Sequence, residues 1–280
     1  PGNAHCIALD TGDINRNGRA EIFVTARNNR GDMLRSFVLE YQNGKYRRIT
    51  EKQPWFYRVA NAPDAKNPVL LGQRHRTKAD PFDAEIVHLK YKEGHYVPGD
   101  VFLRSDAGIN VFSLAVGRIP GQGAKTVTVA LDRKDRLKLF DAAGNTLWRS
   151  RDKYGGSTLF LEGPVKGPDS RNERFYLPGR TLVFAPDQNP AQVFTFRNKG
   201  LSPVSLERLR VFDEGFLLSL SWERGGLQEQ WKTRSYEGHF RDLAMGDING
   251  DGQPELAALL VKKEGATLFS TPVSKVLIFP

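Results

Sequence analysis

The sequence predicts an all-β protein, a β-propeller of about five mostly four-stranded blades that forms one domain over residues 1–280. Helical periodicity is scarce, and short apolar or alternating runs bounded by Gly, Asn, Asp and Pro dominate the chain. These runs recur as units spaced roughly 48 to 66 residues apart, close to the period of propeller blades. The larger spacings leave six or seven blades open, with room for a degenerate blade around residues 157–180.

Four β-hairpins are the clearest local signals in the sequence. Asn43 and Gly44 lie between two strand-like runs, and an Asn-Gly pair suits a type I′ turn. Short Gly-containing turns separate the strands of the other three hairpins in the same way. The predicted hairpin strands are residues 36–41 with 46–50, 85–91 with 95–103, 136–140 with 146–149, and 216–222 with 227–232.

Each repeating unit also contains two further runs. Apolar, largely β-branched runs predict strands that are buried on both faces, and we place them as the inner strands of the blades. These predicted inner strands are residues 21–26, 68–73, 125–131, 192–196 and 255–261. The run before each of them is predicted to be an outer strand, at residues 7–9, 56–60, 111–116, 181–185 and 240–245.

Both ends of the chain read as strands, which predicts how the ring of blades closes. A radial array removes its open edge when its first and last strands pair in one blade. We therefore expect residues 7–9 to pair in the blade that contains residues 255–261 and 276–279. Because the sequence begins at Pro1 without a Met or a leader, we also expect it to be part of a longer chain.

Two loops near the two ends of the chain share the pattern D-x-N-x-[ND]-G-x-x-E. Ca²⁺ takes six to eight oxygen ligands, and alternate residues of a tight turn can point their side chains inward to supply them. The pattern therefore predicts two calcium sites. The predicted ligands are Asp13, Asn15, Asn17, the carbonyl of Arg19, and Glu21 in the first loop, and Asp247, Asn249, Asp251, the carbonyl of Gln253, and Glu255 in the second.

The two loops differ in charge. The first has two carboxylates where the second has three, and Arg16 and Arg19 add positive charge beside the first. Because fewer anionic ligands bind a cation less tightly, we expect the first loop to be the weaker site. The alternative is that the Asp and Asn side chains only form hydrogen-bonded turns and hold no metal. The flanking strands and the closing Glu at the ninth position distinguish both loops from an EF-hand.

With these loops and their flanking strands, the chain resembles the FG-GAP/VCBS repeat proteins, which are calcium-loop β-propellers of secreted and cell-surface bacterial proteins and of integrin heads. The matching residues are 8–22 and 244–256, and the first copy departs from the family pattern at Asn17, where the family has Asp. The resemblance implies a binding or scaffolding module outside the cytoplasm. It implies no catalytic residues.

The chain is basic, with a formal net charge of +9. The basic residues are spread along the sequence, with the densest run at residues 74–78 and a second at 133–136. No helix-turn-helix, zinc-finger or RRM motif accompanies them, so nucleic acid is not an expected partner. The charge permits attraction to anionic polymers, and we expect a monomeric domain that binds a protein partner or an anionic glycan.

Other motifs point away from a disulfide framework, a membrane span and an enzyme. The single cysteine, Cys6, excludes an internal disulfide, and its strand-like surroundings predict that it is buried. No apolar run approaches the roughly 18 residues of a membrane span. Nucleophile-elbow, Walker, Rossmann and H-E-x-x-H patterns do not occur, so we expect no enzyme. Paired carboxylates of a glycosidase could come from Asp80, Asp83, Glu85, Asp132 and Asp135.

The sequence therefore predicts a non-catalytic, calcium-stabilised propeller that serves as a protein-binding or scaffolding module of a bacterial envelope or secreted protein. The expected location is periplasmic, on the cell surface or secreted. In this prediction the ion ties a strand of one blade to a strand of the next. A carbohydrate-binding, lectin-like propeller is the first alternative, and a hydrolase or lyase acting on polysaccharide is the second.

Overall fold

The computed structural model describes residues 4–28, 33–61, 63, 67–76, 80–104, 108–119, 125–163, 173–185, 191–200, 210–263 and 272–280. Within these residues the regular structure is β, apart from one 3-10 turn at Val111–Ser113. Five antiparallel sheets are arranged as a five-bladed β-propeller, and a two-stranded ribbon accompanies them. The all-β propeller prediction is confirmed.

The strands follow the chain from blade to blade. Blade 1 contains β1 (Ala4–Gly12), β2 (Glu21–Asn28), β3 (Ser36–Gln42) and β4 (Lys45–Gln53). Blade 2 contains β5 (Trp55–Ala60), β6 (Val69–His75), β7 (Phe82–Lys92) and β8 (His95–Arg104). Blade 3 contains β9 (Ala115–Arg118), β10 (Thr126–Leu131), β11 (Leu137–Phe140) and β12 (Thr146–Arg149). The ribbon contains β13 (Phe160–Glu162) and β14 (Arg174–Tyr176).

The last two blades complete the ring. Blade 4 contains β15 (Leu182–Phe184), β16 (Gln192–Lys199), β17 (Glu214–Glu223) and β18 (Gly226–Lys232), and β19 (Tyr236–Glu237) pairs with β17. Blade 5 contains β20 (His239–Gly246), β21 (Glu255–Lys263) and β22 (Pro272–Phe279). Apart from the pairing of β19 with β17, neighbours in each sheet are consecutive in the chain, so every blade is built on a simple meander.

The four predicted hairpins are confirmed as the pairs β3–β4, β7–β8, β11–β12 and β17–β18. Asn43 and Gly44 have φ of 50° and 78°, and a type I′ turn needs positive φ at both positions. Arg224 and Gly225 repeat this geometry with φ of 50° and 83°. Local turn chemistry therefore sets these hairpins.

The predicted order of strands within a blade is wrong. The runs predicted as outer strands contribute to β1, β5, β9, β15 and β20, which begin the blades and meet at the centre of the molecule. Gly117 of β9, for example, lies so close to Val183 of β15 that a Cβ at position 117 would overlap the valine. The apolar runs predicted as innermost are the second strands. They are buried because neighbouring blades cover both faces of each sheet.

The predicted pairing of the two terminal strands is also wrong. Residues 7–9 lie in β1, which pairs with β2 and not with β21 or β22. The loop between β1 and β2 is short, and closing a local hairpin costs less chain entropy than joining the two ends of the chain. A register shift between Cys6 and Ala8 accompanies this pairing, and Cys6 is exposed instead of buried as predicted.

A network of charges at the centre joins all five blades. Arg58 lies 3.4 Å from Asp10 and donates from Nε to the carbonyl of Leu114 at 2.9 Å. Arg180 lies 3.1 Å from the other Asp10 oxygen and 3.0 Å from Asp242. These five residues lie in the first strands of blades 1 to 5 or within two residues of where those strands begin. Ion pairs and one hydrogen bond thus contact all five blades at the centre, whereas the predicted pairing of the terminal strands does not occur within the described residues.

Antiparallel strands alternate in direction, which separates two ends of the propeller. Loops from the first to the second strand of a blade lie at one end, which we name the loop end. Connections between blades, and loops from the second to the third strand, lie at the other end, which we name the ribbon end. The ribbon belongs to it, and Leu161 and Phe175 pack there with Ile7 of β1 and Phe112 of the 3-10 turn. The ribbon thus covers the centre at that end.

Across the described ranges, no helix has both the length and the hydropathy that a bilayer crossing requires.

Candidate metal site

The two Asp-rich loops have the same backbone scaffold. Loop 1 is Asp13–Glu21 and loop 2 is Asp247–Glu255. In both, the first Asp accepts N–H groups from the fifth and sixth residues at 3.0–3.1 Å. In both, the closing Glu accepts the N–H of the second residue at 2.7 Å. The repeated sequence therefore folds twice into one structure.

Each loop connects two strands of the same blade. Gly12 pairs with Glu21 across β1 and β2, and Gly246 pairs with Glu255 across β20 and β21. The prediction that the loops join neighbouring blades is therefore wrong, because each loop closes a hairpin at the loop end. An ion in either loop would hold the first two strands of one blade together.

Two positions in each loop have positive φ. Gly250 and Gly252 have φ of 81° and 87° in loop 2, whereas Arg16 and Gly18 have φ of 63° and 81° in loop 1. Glycine adopts this region without steric cost, and an arginine does not. Loop 2 therefore has glycine at both positions that need it, and loop 1 keeps the same path with some strain at Arg16.

Loop 2 brings three of its predicted ligands together. Oxygen atoms of Asp247, Asp251 and Glu255 all lie within 4.8 Å of one another, with both Asp residues exposed and the Glu buried. Asn249 lies among them and donates its amide to Asp251 at 3.0 Å and to Glu255 at 2.7 Å. Carboxylate oxygens are ligands that a hard cation prefers, whereas the amide oxygen of Asn249 accepts the N–H of Asp251 at 2.8 Å. The three carboxylates of loop 2 therefore fit a calcium ion.

For the two residues predicted to bind the ion through backbone carbonyls, only the N–H contacts are defined. The N–H of Gln253 donates to Asp251 at 2.8 Å, and the N–H of Arg19 donates to Asn17 at 2.9 Å. Both residues thus lie at the seventh position of their loops, where the motif predicts them. Coordination by their carbonyl oxygens stays a prediction.

Loop 1 is organised by a residue that the motif does not contain. Glu40 of β3 is buried, pairs across the sheet with Glu21, and accepts the side-chain amides of Asn15 at 2.9 Å and Asn17 at 2.6 Å. The amide of Gln42 donates to the other Glu40 oxygen at 2.6 Å. Two predicted metal ligands are therefore held by a carboxylate from the neighbouring strand.

Glu21 is satisfied in a similar way. It is fully buried and accepts the N–H groups of Ile14 at 2.7 Å and Asn15 at 3.2 Å, and the hydroxyl of Tyr96 at 2.6 Å. Burial and then the hydrogen bond to Glu21 raise the pKa of Tyr96, so the phenol keeps its proton. Because Tyr96 belongs to β8, this bond also ties loop 1 to blade 2. The residues of loop 1 fit a cation less well than those of loop 2.

Sequence analysis missed Glu40 and Tyr96 because both reach loop 1 through the sheet. Only the register of β2 on β3, which opposes Glu21 and Glu40, would have identified the first of them. Blade 5 has no equivalent acid, since Leu256 pairs with Phe279 and the next residue is Pro280. Loop 2 therefore lacks the carboxylate that organises loop 1.

Replacing Glu40 with Gln is expected to destabilise the protein at neutral pH by roughly 1–3 kcal/mol, because three amide donors lose a charged acceptor. Burial acts to raise the pKa of Glu40, but hydrogen bonds from Gln42, Asn15 and Asn17, with the charge of Arg19, leave it below its ordinary value of 4.5. A lowered folded-state pKa gives stability that is present above about pH 4.5 and is lost as the pH falls through the lower value.

Urea denaturation of both proteins between pH 7 and pH 3 measures this effect. The stability difference between wild type and Glu40→Gln should narrow below about pH 4.5. Glu51→Gln is the matched control, because Glu51 is exposed on β4 and its carboxylate lies 3.6 Å from Arg48. A difference that stays constant down to pH 3 would contradict the charged role of Glu40.

Comparison of the chain with protein-family models gave no matching family, and a search of curated proteins gave no match. The resemblance to FG-GAP/VCBS repeats therefore rests on the two loops and on the propeller fold that surrounds them.

Proposed function

We propose that this protein is a non-catalytic, calcium-stabilised propeller that binds a protein partner or organises a larger extracytoplasmic assembly. The observation that carries the proposal is the convergence of Asp247, Asp251 and Glu255 within 4.8 Å in loop 2. Like charges at such distances disfavour one another, and a divalent cation relieves that repulsion. Calcium at millimolar concentration outside the cytoplasm suits a site of this kind.

The role of the ion in this proposal is structural. Loop 2 joins β20 to β21, and β21 supplies Leu256, Ala258 and Leu260 to the core between blades 4 and 5. A bound cation would add stability to this hairpin by occupying the folded state alone. The chemistry of the ion is confined to neutralising carboxylates, and no catalytic residue is assigned.

Loop 1 is proposed as the weaker site. Its own residues supply two carboxylates, Asp13 and Glu21, where loop 2 supplies three, and Glu21 already accepts three hydrogen bonds. An ion there would compete with these partners. We therefore expect calcium to act first through loop 2.

Calcium is expected to raise the melting temperature, and EDTA to lower it. At a free calcium concentration one hundred times the Kd, binding to the folded state alone adds about 2.7 kcal/mol of stability. Asp251→Asn should remove most of this gain, and Asn17→Ala should remove less. Calorimetric scans with and without calcium measure both effects.

Asp141→Asn provides the matched control. Asp141 also accepts N–H groups in an exposed turn, from Ala143 at 2.9 Å and Asn145 at 2.8 Å, but it lies outside the two loops. The control should respond to calcium as the wild type does. Identical melts in EDTA and in calcium would refute the metal proposal, and equal calcium responses of Asp251→Asn and Asn17→Ala would refute the ranking of the two loops.

A lectin-like function is the second candidate, because a polar pocket opens between two blades at the ribbon end. Its lining includes Arg76, Asp80, Asp83 and Arg133. Charged side chains that converge in a crevice between blades are what recognition of a hydroxylated, anionic ligand needs. A glycan array screened with calcium present would count against this function if it gave no hits.

A further inference from the structure

The pocket at the ribbon end brings together distant charged segments of the chain. It lies between blades 2 and 3 and has a volume of about 170 Å³. The two densest basic runs, residues 74–78 and 133–136, each contribute one arginine to it. Its lining residues are Arg76, Asp80, Phe82, Asp83, Ala84, Gly108, Ile109 and Arg133.

The pocket and the metal loops lie at opposite ends of the propeller, as the directions of the strands show. Arg76 follows β6, and Asp80 precedes β7. Gly108 and Ile109 lie between blades 2 and 3, and Arg133 follows β10. All of these connections belong to the ribbon end, whereas loops 1 and 2 belong to the loop end. A ligand in the pocket therefore does not touch the predicted calcium ligands.

The guanidinium of Arg133 is held in place by two neighbouring side chains. It forms an ion pair with Asp80, whose other oxygen accepts the N–H of Phe82 at 3.0 Å. Its guanidinium lies 4.9 Å from the ring centre of Phe175 on the ribbon. A stacked guanidinium keeps its N–H groups in its own plane, where they can donate to a second acceptor.

Gly108 provides the space for this arrangement. Its φ is 67°, and a Cβ there would lie 2.9 Å from Cγ and Cδ of Arg133. The arginine stem therefore runs directly over the glycine backbone. Phe82 and Ile109 are buried and supply apolar side chains to the lining of the pocket.

We propose that this pocket binds a uronate, a sugar unit with a carboxylate and neighbouring hydroxyls. Its volume is below the roughly 300 Å³ at which pockets begin to hold drug-sized ligands, so one sugar unit is the fitting size. The exposed Arg76 suits the carboxylate, because a guanidinium and a carboxylate bind side by side through two hydrogen bonds. Asp83 can accept sugar hydroxyls, and Arg133 can donate to them. This proposal deepens the glycan-binding function above and rests on it.

Two further arginines contact aromatic rings of the ribbon. Arg174 lies 4.2 Å from the ring centre of Phe160, and Arg210 lies 4.1 Å from that of Tyr176. Arg210 is also paired with Asp135 at 2.8 Å, so this second position is partly neutralised. Because side chains alternate in face along β14, Arg174 and Tyr176 lie on the ribbon face opposite to Phe175, and the proposal rests on the pocket residues alone.

Calorimetric titration without calcium tests the proposal apart from the metal sites. The probes are galacturonate, trigalacturonate and the neutral maltotriose. Trigalacturonate should bind at least about tenfold more tightly than maltotriose, a difference of about 1.4 kcal/mol. Tighter binding of the trimer than of the monomer would support a polysaccharide as the source, and equal binding would support a free sugar acid.

Three variants locate the site. Arg76→Gln should weaken trigalacturonate binding about tenfold, and Ala84→Trp, which fills the pocket without changing charge, should abolish it. Arg47→Gln removes the same charge from an exposed position on β4 and should have no effect. Melting curves confirm that each variant is folded. Equal weakening by Arg76→Gln and Arg47→Gln, or equal binding of maltotriose, would overturn the proposal, as would a folded wild type that binds no uronate. The calcium-dependent melt is unaffected by any of these outcomes.

Discussion

Replacing Asp10 with Asn should lower the free energy of unfolding by about 3–5 kcal/mol, the range found when one partner of a buried ion pair is removed. Asp10 accepts from Arg58 at 3.4 Å, from Arg180 at 3.1 Å and from the N–H of Val59 at 2.9 Å. The side chain of Arg58 is only 7% exposed. Without Asp10, two guanidinium groups would face each other at the centre with less negative charge between them.

The loss should be greater than that of an ordinary ion pair because water cannot reach Arg58. Burial lowers the pKa of Arg58, and the charge of Asp10 opposes that change. The guanidinium nevertheless stays charged at all ordinary pH values. The variant therefore cannot remove the unfavourable charge by losing a proton.

Urea denaturation measures this loss, and Asp100→Asn is its matched control. Asp100 pairs with Lys90 at 3.0 Å, a better distance than that of Arg58 and Asp10, but its side chain is 84% exposed. Solvent screens an exposed pair of this kind, so Asp100→Asn should cost far less than Asp10→Asn. If Asp10→Asn cost no more than Asp100→Asn, the central network would not be what closes the ring.

The difference between local turns and contacts of residues that are distant in sequence explains how much of the fold the sequence could predict. Hairpins such as the one at Asn43 and Gly44 follow from turn residues that are adjacent in the chain. The central ion pairs join Asp10, Arg58 and Arg180, which are far apart in sequence and carry no local signal. The predicted pairing of the terminal strands was wrong because β1 pairs with β2, its neighbour in the chain.

The same difference between local and distant residues applies to the candidate metal site and to the pocket. In loop 2 the proximity of Asp247, Asp251 and Glu255 could be predicted, because these residues come from one short segment. Glu40 contacts loop 1 from the neighbouring strand β3, and Tyr96 contacts it from blade 2. Neither residue belongs to the loop motif, so the motif does not reveal them. The pocket of Arg76 and Arg133 was visible in the sequence only as two separate basic runs, because its shape comes from the packing of blades 2 and 3.

Asn198→Ala should lower the free energy of unfolding by about 3 kcal/mol, because it leaves several buried backbone groups without partners. The Asn198 amide donates to the carbonyls of Gly156 at 2.8 Å and Phe240 at 2.7 Å. Its oxygen accepts the N–H of Phe240 at 2.8 Å. One side chain on β16 thus joins blade 4 to β20 of blade 5 and to the segment that follows the third blade.

Asn145→Ala is the matched control, because it measures the general cost of removing an asparagine side chain. The Asn145 amide donates to Asp141 at 3.0 Å, but the residue is exposed, so water replaces that bond and the expected cost is within about 0.5 kcal/mol. Hydrogen exchange should show the N–H of Phe240 losing protection in Asn198→Ala and keeping it in Asn145→Ala. Because the N–H of Asn198 bonds to the carbonyl of Gly155 at 2.9 Å through the backbone, that bond survives in the variant. Equal stability of the two variants would mean that apolar packing, and not this amide, holds blades 4 and 5 together.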